Sequence, residues 1–117
     1  MKSFTDIEQS KKLAEILPIE SADMYWWSSG KRYYIEAMDD GDFNEEEGHI
    51  RAWSLAALLD ILPCNLKLVL AINDYQGERK ERYAIGSVEH NKYDCYADNP
   101  VDACYEMILK LHELKLL

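Results

Sequence analysis

Apolar and polar residues alternate along two neighbouring segments, about residues 23–28 and 32–38, which are joined through Ser-Ser-Gly. Alternation with a period of two predicts β-strands, and small turn residues between two such runs predict a hairpin. A loop of two or four residues would place Trp27 opposite Arg32, whereas a loop of three residues would invert the pairing. The register of this hairpin therefore depends on the length of its loop.

The two faces of the predicted hairpin differ in polarity. With a loop of two or four residues, one face is almost wholly apolar and consists of Met24, Trp26, Tyr33, Ile35 and Ala37. We expect this face, including Trp26 and Tyr33, to belong to the core. The opposite face is mixed and consists of Tyr25, Trp27, Arg32, Tyr34 and Glu36. Arg32 could stack on Trp27 there, and a helix, a second subunit or a ligand could cover the candidate binding residues Tyr25, Trp27, Arg32 and Tyr34.

Two segments in the first half of the chain repeat their apolar residues with the period of a helix. In the first, Thr5 and Glu8 have the spacing of a capping box, and Pro18 is the expected stop. The second has Ser54 as its expected N-cap and Pro63 as its stop. Its expected buried residues are Leu55, Leu58, Leu59 and Leu62.

The last helix has the clearest start signal in the chain. Asp98 or Asn99 is the expected N-cap, Pro100 suits the first helical position, and Asp102 favours the helix dipole. Its apolar stripe predicts a buried side made of Val101, Cys104, Ile108 and Leu111, with Met107 and Leu114 alongside.

Three further strands are predicted between the second and third helices, at about residues 65–73, 82–90 and 92–97. Their short connections predict antiparallel neighbours. The predicted order is α-β-β-α-β-β-β-α, which is an α+β fold with one antiparallel sheet of about five strands and three helices. The length of 117 residues predicts that residues 1–117 form a single domain.

The chain is acidic, with a formal net charge of -9 at pH 7. Its negative potential repels phosphate groups, so we expect no direct binding to nucleic acid and none to an anionic membrane. The basic run "ERKER" at residues 78–82 is interleaved with glutamates and predicts a solvated turn. The acidic loop at residues 39–47 predicts an extended, mobile segment, because its like charges repel.

Cysteine usage indicates the compartment. Cys64, Cys95 and Cys104 are an odd and small number of cysteines, and no secretory signal or membrane-spanning run is seen. We therefore expect a cytoplasmic protein with free thiols.

Two possible metal sites fail, one on a ligand residue and one on ligand spacing, so we expect no metal and no cofactor. An EF-hand alignment that uses Glu36, Asp40, Gly41 and Glu47 places Met38 where a ligand oxygen belongs. The zinc-ligand types in the second half of the chain lack the close pairs that structural zinc sites use; they are His90, Cys95, Cys104 and His112.

Catalytic signatures are scarce. Cys104 lies near the start of a predicted helix, where the dipole can lower a thiol pKa, so it is the best candidate nucleophile. A buried core cysteine is the competing interpretation. The sequence has no Gly-rich phosphate loop, no G-x-S-x-G and no H-E-x-x-H, which favours a non-catalytic protein.

Three blocks of sequence carry a resemblance: "TDIEQSKKLAEILPIESADMYWW", "WSLAALLDILP" and "DNPVDACYEMILKLHEL". In this order they resemble a family of small uncharacterised proteins from gut bacteria and their phages or other mobile elements. The resemblance implies no activity, cofactor or catalytic residue, and the acidic stretch lies outside all three blocks.

The leading hypothesis from the sequence is a non-catalytic accessory factor of a phage or mobile element that binds a protein partner or itself. One alternative is a small enzyme or ligand-binding domain with a pocket near Trp27 and Cys104. Another is an acidic decoy that imitates DNA towards a nucleic-acid-binding protein.

Overall fold

The computed structural model describes residues 2–38, 42–75, 78–87 and 92–116, with side chains for all of these except 70–75, 78–81, 87 and 92–94. The chain divides into two compact units. We call residues 3–61 the first unit, and Lys2 with residues 62–116 the second unit. The single domain expected from the chain length stays a prediction.

The fold is α+β, as predicted. The helices and strands in the described residues are α1 (Ile7–Ile16), β1 (Met24–Ser29), β2 (Arg32–Ala37), β3 (Ile50–Ala52), α2 (Leu55–Ile61), β4 (Leu66–Tyr75), β5 (Glu78–Ser87), β6 (Lys92–Ala97) and α3 (Pro100–Glu113). Short 3-10 helices lie at Ile19–Ser21 and Glu45–Glu47.

The strands form two antiparallel sheets of three strands, with the orders β2-β1-β3 and β4-β5-β6. The predicted single sheet of about five strands therefore differs in detail from the structure. The additional strand is β3, which has only three residues, too few to show an alternating pattern. The hairpin and the meander were both predicted, but no local pattern shows which strands share a sheet.

The first helix starts one residue later than the predicted capping box implies. The N-cap is Asp6, whose Oδ1 accepts from the Gln9 N–H at 2.8 Å, while Gln9 Oε1 accepts from the Asp6 N–H at 3.1 Å. Thr5, the predicted cap, is instead buried, and its Oγ1 accepts from the Trp53 N–H at 3.1 Å. Its hydroxyl also lies 2.7 Å from the buried Ser10 hydroxyl. Thr5 therefore ties the start of α1 to the segment after β3.

The second helix has the predicted cap, because the Ala57 N–H donates to Ser54 Oγ at 3.2 Å. Leu58 is fully buried, but Leu59, which was predicted to be buried, is exposed. The buried apolar residues of the first unit are Leu13, Leu17, Ala22, Tyr25, Ala52, Trp53 and Leu58.

The second unit is a meander packed on one helix. β4 and β5 pair over ten residues each, from Leu66 opposite Ser87 to Tyr75 opposite Glu78. The predicted turn at residues 78–82 is wrong, because this run belongs to β5. In the long β4–β5 ladder the backbone N–H and C=O groups of these charged residues are hydrogen-bonded to the neighbouring strand. A charged sequence can therefore form a strand here and does not require a turn.

The third helix matches its prediction closely. Asn99 is the N-cap, and its Oδ1 accepts from the Asp102 N–H at 2.8 Å. The predicted stripe is buried from Val101 to Leu111, and Cys95 Sγ of β6 lies 3.7 Å from Met107 Sδ. Leu114, which lies just after the last turn, is exposed and was wrongly placed in the stripe.

Candidate functional site

The β1–β2 hairpin has a two-residue loop, Gly30 and Lys31, with Ser29 opposite Arg32. Gly30 has a φ of 65°, a conformation that glycine adopts without steric cost at the first position of such a turn. Trp27 lies opposite Tyr34, so the predicted pairing of Trp27 with Arg32 is wrong. The predicted division into two faces is nevertheless correct, since the pairing keeps the same residues together.

We call the mixed side of the hairpin the aromatic face, which consists of Tyr25, Trp27, Arg32, Tyr34 and Glu36. The opposite side is not the uniformly buried surface that its apolar composition predicted. Tyr33 on that side is 48% exposed, which contradicts its assignment to the core. Trp26 is half-buried, its indole Nε1 donates to the Thr5 carbonyl at 3.0 Å, and its ring lies edge-on to Phe4.

Tyr25 is the buried end of the aromatic face, with only 3% of its surface exposed. Its hydroxyl donates to Glu36 Oε2 at 2.9 Å across the strand pair. Its ring stacks on His49, with centroids 5.1 Å apart, and meets the edge of Phe43 at 5.7 Å. Tyr25 was predicted to be a binding residue, but these contacts make it the support beneath the face.

The segment that covers Tyr25 belongs to the predicted acidic loop, and its described part forms a turn with a short 3-10 helix. Asn44 caps the 3-10 helix Glu45–Glu47 by accepting from the Glu46 N–H at 2.9 Å. Gly48 then ends it in the left-handed region, at a φ of 85°. His49 Nδ1 accepts from the Asn44 N–H at 3.1 Å. Residues 45–47 are therefore helical and not extended as predicted, whereas residues 39–41 of the predicted loop lie outside the described residues and its mobility stays a prediction.

Arg51 connects this turn to α1. It lies opposite Tyr25 on β3, and its guanidinium donates to the carbonyls of Ala14 and Leu17, both at 3.3 Å. These carbonyls belong to the C-terminal end of the helix, where a cation is favoured by the helix dipole. Arg51 Nε also lies 2.9 Å from Glu45 Oε1, in an ion pair without hydrogen-bond alignment. One side chain thus holds both the turn and the helix end beside the aromatic face.

Trp27 and Tyr34 form the open end of the aromatic face. Their rings stack with centroids 4.7 Å apart and planes inclined by 26°. Tyr34 is 41% exposed, Arg32 is exposed, and Trp27 is half-buried. The Trp27 Nε1 atom is buried, and the described part of the chain offers it no hydrogen-bond acceptor. Three of the four predicted binding residues therefore lie together at the surface.

The candidate nucleophile has a different environment. Cys104 is fully buried in α3, and desolvation raises the pKa of its thiol from the ordinary 9.0 to about 12. A thiol that is both inaccessible and protonated at neutral pH is a poor nucleophile. Cys104 also belongs to the second unit, whereas Trp27 belongs to the first.

Metal ligands do not come together in the part of the chain that the structure describes. Within it, no group of three or more His, Cys, Asp or Glu side chains could hold a metal ion. Cys95 is half-buried against Met107. Asp40 and Gly41 of the calcium alignment, and His90 of the zinc set, lie outside the described residues.

Three residues of this site were not predicted, namely Phe43, His49 and Arg51. The one local signal is the alternation of His49 and Arg51 around Ile50, and β3 is too short for this pattern to stand out. The contacts that matter join residues far apart in the sequence, such as Tyr25 with His49 and Arg51 with Ala14.

The chain matches no protein-family model, no curated protein and no solved structure. Among the helices within the described ranges, none is long and apolar enough to cross a membrane.

Proposed function

We propose that this protein is a non-catalytic accessory factor that binds another protein through the open end of the aromatic face. The observation that carries the proposal is the Trp27–Tyr34 stack, which combines ring contact at 4.7 Å with a tyrosine that is 41% exposed. Tryptophan, tyrosine and arginine are the residues that most often dominate the binding energy of protein interfaces. Trp27, Tyr34 and Arg32 supply all three on one small surface.

The support beneath this surface favours binding. Tyr34 stands on a paired strand, and its ring is held by Trp27, so little side-chain freedom is lost when a partner covers it. The neighbouring Tyr25 is fixed by Glu36 and His49. A preorganised aromatic anchor of this kind loses less entropy on association than a flexible side chain.

The charges around the anchor indicate the chemistry of the partner. Glu36 on the same face and the turn Glu45–Glu47 are exposed, and the whole chain has a net charge of -9. An aromatic centre with the exposed Arg32 on one side and acidic residues on the other is complementary to an apolar patch whose basic residues face Glu36 and the turn. We therefore propose a protein partner with such a patch.

The proposal is tested by quantitative capture from a lysate of gut bacteria, the source that the sequence resemblance indicates. The wild-type chain is compared with Tyr34→Ala and with the matched control Tyr96→Ala. Tyr96 is also on an edge strand, in the other sheet, and is 45% exposed. We expect a protein that is retained by the wild type and by Tyr96→Ala but lost with Tyr34→Ala.

Salt separates this proposal from the acidic decoy. An interface centred on aromatic rings keeps much of its affinity at high ionic strength, whereas the binding of a DNA imitation is carried by charge and weakens steeply. Captured proteins that bind Tyr34→Ala as well as the wild type, or that are released entirely by moderate salt, contradict the proposal.

A further inference from the structure

The open edge of the first sheet is a second feature of β2, and its strand also carries Arg32, Tyr34 and Glu36 of the aromatic face. Within the described residues the sheet order is β2-β1-β3, so one side of β2 is paired with β1 and the other side is an edge. Five of the six residues of β2 are exposed, and Ile35 is half-buried. The strand contains no proline and shows no bulge against β1. Such an edge presents backbone donors and acceptors to another strand.

The register shows which backbone groups point outward. A two-residue hairpin loop is flanked by a hydrogen-bonded pair, and hydrogen-bonded and non-hydrogen-bonded pairs then alternate along the ladder. With Ser29 opposite Arg32, the backbone groups of Arg32, Tyr34 and Glu36 are directed towards β1. Those of Tyr33 and Ile35 are directed to the open edge.

The side chains of β2 are self-complementary about Tyr34. Arg32 lies two residues before Tyr34 and Glu36 lies two residues after it, so all three are on the same face. Antiparallel pairing of two copies centred on Tyr34 would place each Arg32 opposite Glu36 of the second copy. The same register would place Tyr33 opposite Ile35 of the second copy, and these are the residues whose backbone groups point outward.

Other registers lack this agreement. Pairing centred on Ile35 would place Glu36 opposite Tyr34 of the second copy and leave no ion pair. Only the Tyr34-centred register meets two conditions. It hydrogen-bonds Tyr33 to Ile35 of the second copy, and it places the opposite charges of Arg32 and Glu36 directly across from each other. Directly facing opposite charges stabilise a strand pair, and like charges there destabilise it.

We propose that the β2 edge binds β2 of a second copy of this chain, forming a symmetric dimer with a continuous six-stranded sheet. Glu36 already accepts from Tyr25 through Oε2, and a carboxylate has a second oxygen for an arginine of the second copy. The two Tyr34 rings meet at the symmetry axis, with Trp27 stacked on the far side of each. This proposal goes beyond the proposed function, because the dimer forms from the purified chain with no other protein present.

Charge exchange tests the proposal. In sedimentation equilibrium of the purified chain, the wild type should show a monomer–dimer equilibrium. R32E and E36R should each weaken the dimer by at least about tenfold in Kd, since each replaces two attractive pairs with two repulsive ones. The double variant R32E/E36R restores opposite charges at both facing positions and should regain wild-type dimerisation.

A mixture of the two single variants provides the sharpest control. When R32E meets E36R, both facing pairs again join opposite charges, so mass-tagged chains should form mixed dimers although each variant alone is weak. Far-UV circular dichroism of every variant checks that the exposed substitutions leave the fold intact. A wild type that stays monomeric at all concentrations overturns the proposal. So do single variants that dimerise like the wild type, or a double variant or mixture that fails to regain the dimer.

Discussion

Trp27 stacks on Tyr34 from the directly opposite position of the neighbouring strand, with ring centroids 4.7 Å apart. The register of the hairpin places these two side chains opposite each other, which brings their rings within stacking distance. Tyr34 remains 41% exposed, so an aromatic surface lies on the edge strand of the first sheet.

The stack should contribute measurable coupling to stability. In a double-mutant cycle of Trp27→Ala and Tyr34→Ala, we expect a coupling of about 0.5–1.5 kcal/mol in the free energy of unfolding. All three tryptophans lie in the first unit, so fluorescence of the remaining Trp26 and Trp53 during urea unfolding reports on that unit. Additive effects of the two substitutions would show that the rings do not stabilise each other.

Arg51 should contribute more to the free energy of unfolding than Glu45, its acidic partner. Arg51→Ala leaves two carbonyls at the end of α1 without their donor, and we expect it to lower the free energy of unfolding by about 2 kcal/mol. Glu45→Ala removes only a partly exposed ion pair and should cost about 0.5 kcal/mol. Urea titrations followed by tryptophan fluorescence compare the two. Equal costs would mean that the ion pair, and not the helix end, is the main contact of Arg51.

His49 should carry its proton on Nε2 when neutral. Its Nδ1 accepts from the Asn44 N–H at 3.1 Å, and an acceptor nitrogen has no proton of its own. Long-range proton–nitrogen correlation spectra of the ring distinguish the two tautomers. The Nδ1–H tautomer in the native protein would rule out this hydrogen bond and with it the described closure of the turn over Tyr25.

The buried Cys104 should make the second unit less stable at alkaline pH. Its folded pKa is about 12 against an ordinary 9.0, so between these values the unfolded chain binds fewer protons than the folded chain. The free energy of unfolding therefore falls with rising pH in this window, by about 1.4 kcal/mol per pH unit, and the contribution is intact below about pH 9. Titration of other groups is cancelled by comparison with Cys104→Ala.

Urea unfolding at pH 8 and pH 10, followed by far-UV circular dichroism, measures this difference. The stability advantage of the wild type over Cys104→Ala should shrink by about 1.4 kcal/mol between the two pH values. A constant difference would mean that the thiol ionises normally and is not desolvated.

Local patterns predicted the local elements well. The cap at Asn99, the proline that follows it and the stripe from Val101 to Leu111 are all encoded within one helix, so α3 was predicted nearly to its ends. The cap of α1 was misplaced by one residue because Thr5 and Asp6 are both good caps, and the choice depends on Trp53, far away in the sequence.

The site was predicted only in part. Alternation shows which residues share a face of the hairpin, but it does not show which other segments pack over that face. The residues of the aromatic face were correctly grouped, yet both sides of the hairpin carry large rings, and composition could not show which ring is buried. Tyr25 is buried because His49 and Phe43 come from a turn that looked like a charged loop. The division into two sheets likewise depends on contacts between distant residues.

The affinity of the purified chain for the protein that it captures shows whether the Trp27–Tyr34 surface forms the binding site. We predict that Tyr34→Ala raises the Kd by about 30-fold, as loss of an interface hot spot of about 2 kcal/mol requires, while Tyr96→Ala leaves it unchanged. Calorimetric titration at fixed salt gives both values. Equal affinities for Tyr34→Ala and the wild type would mean that the protein binds elsewhere on the chain.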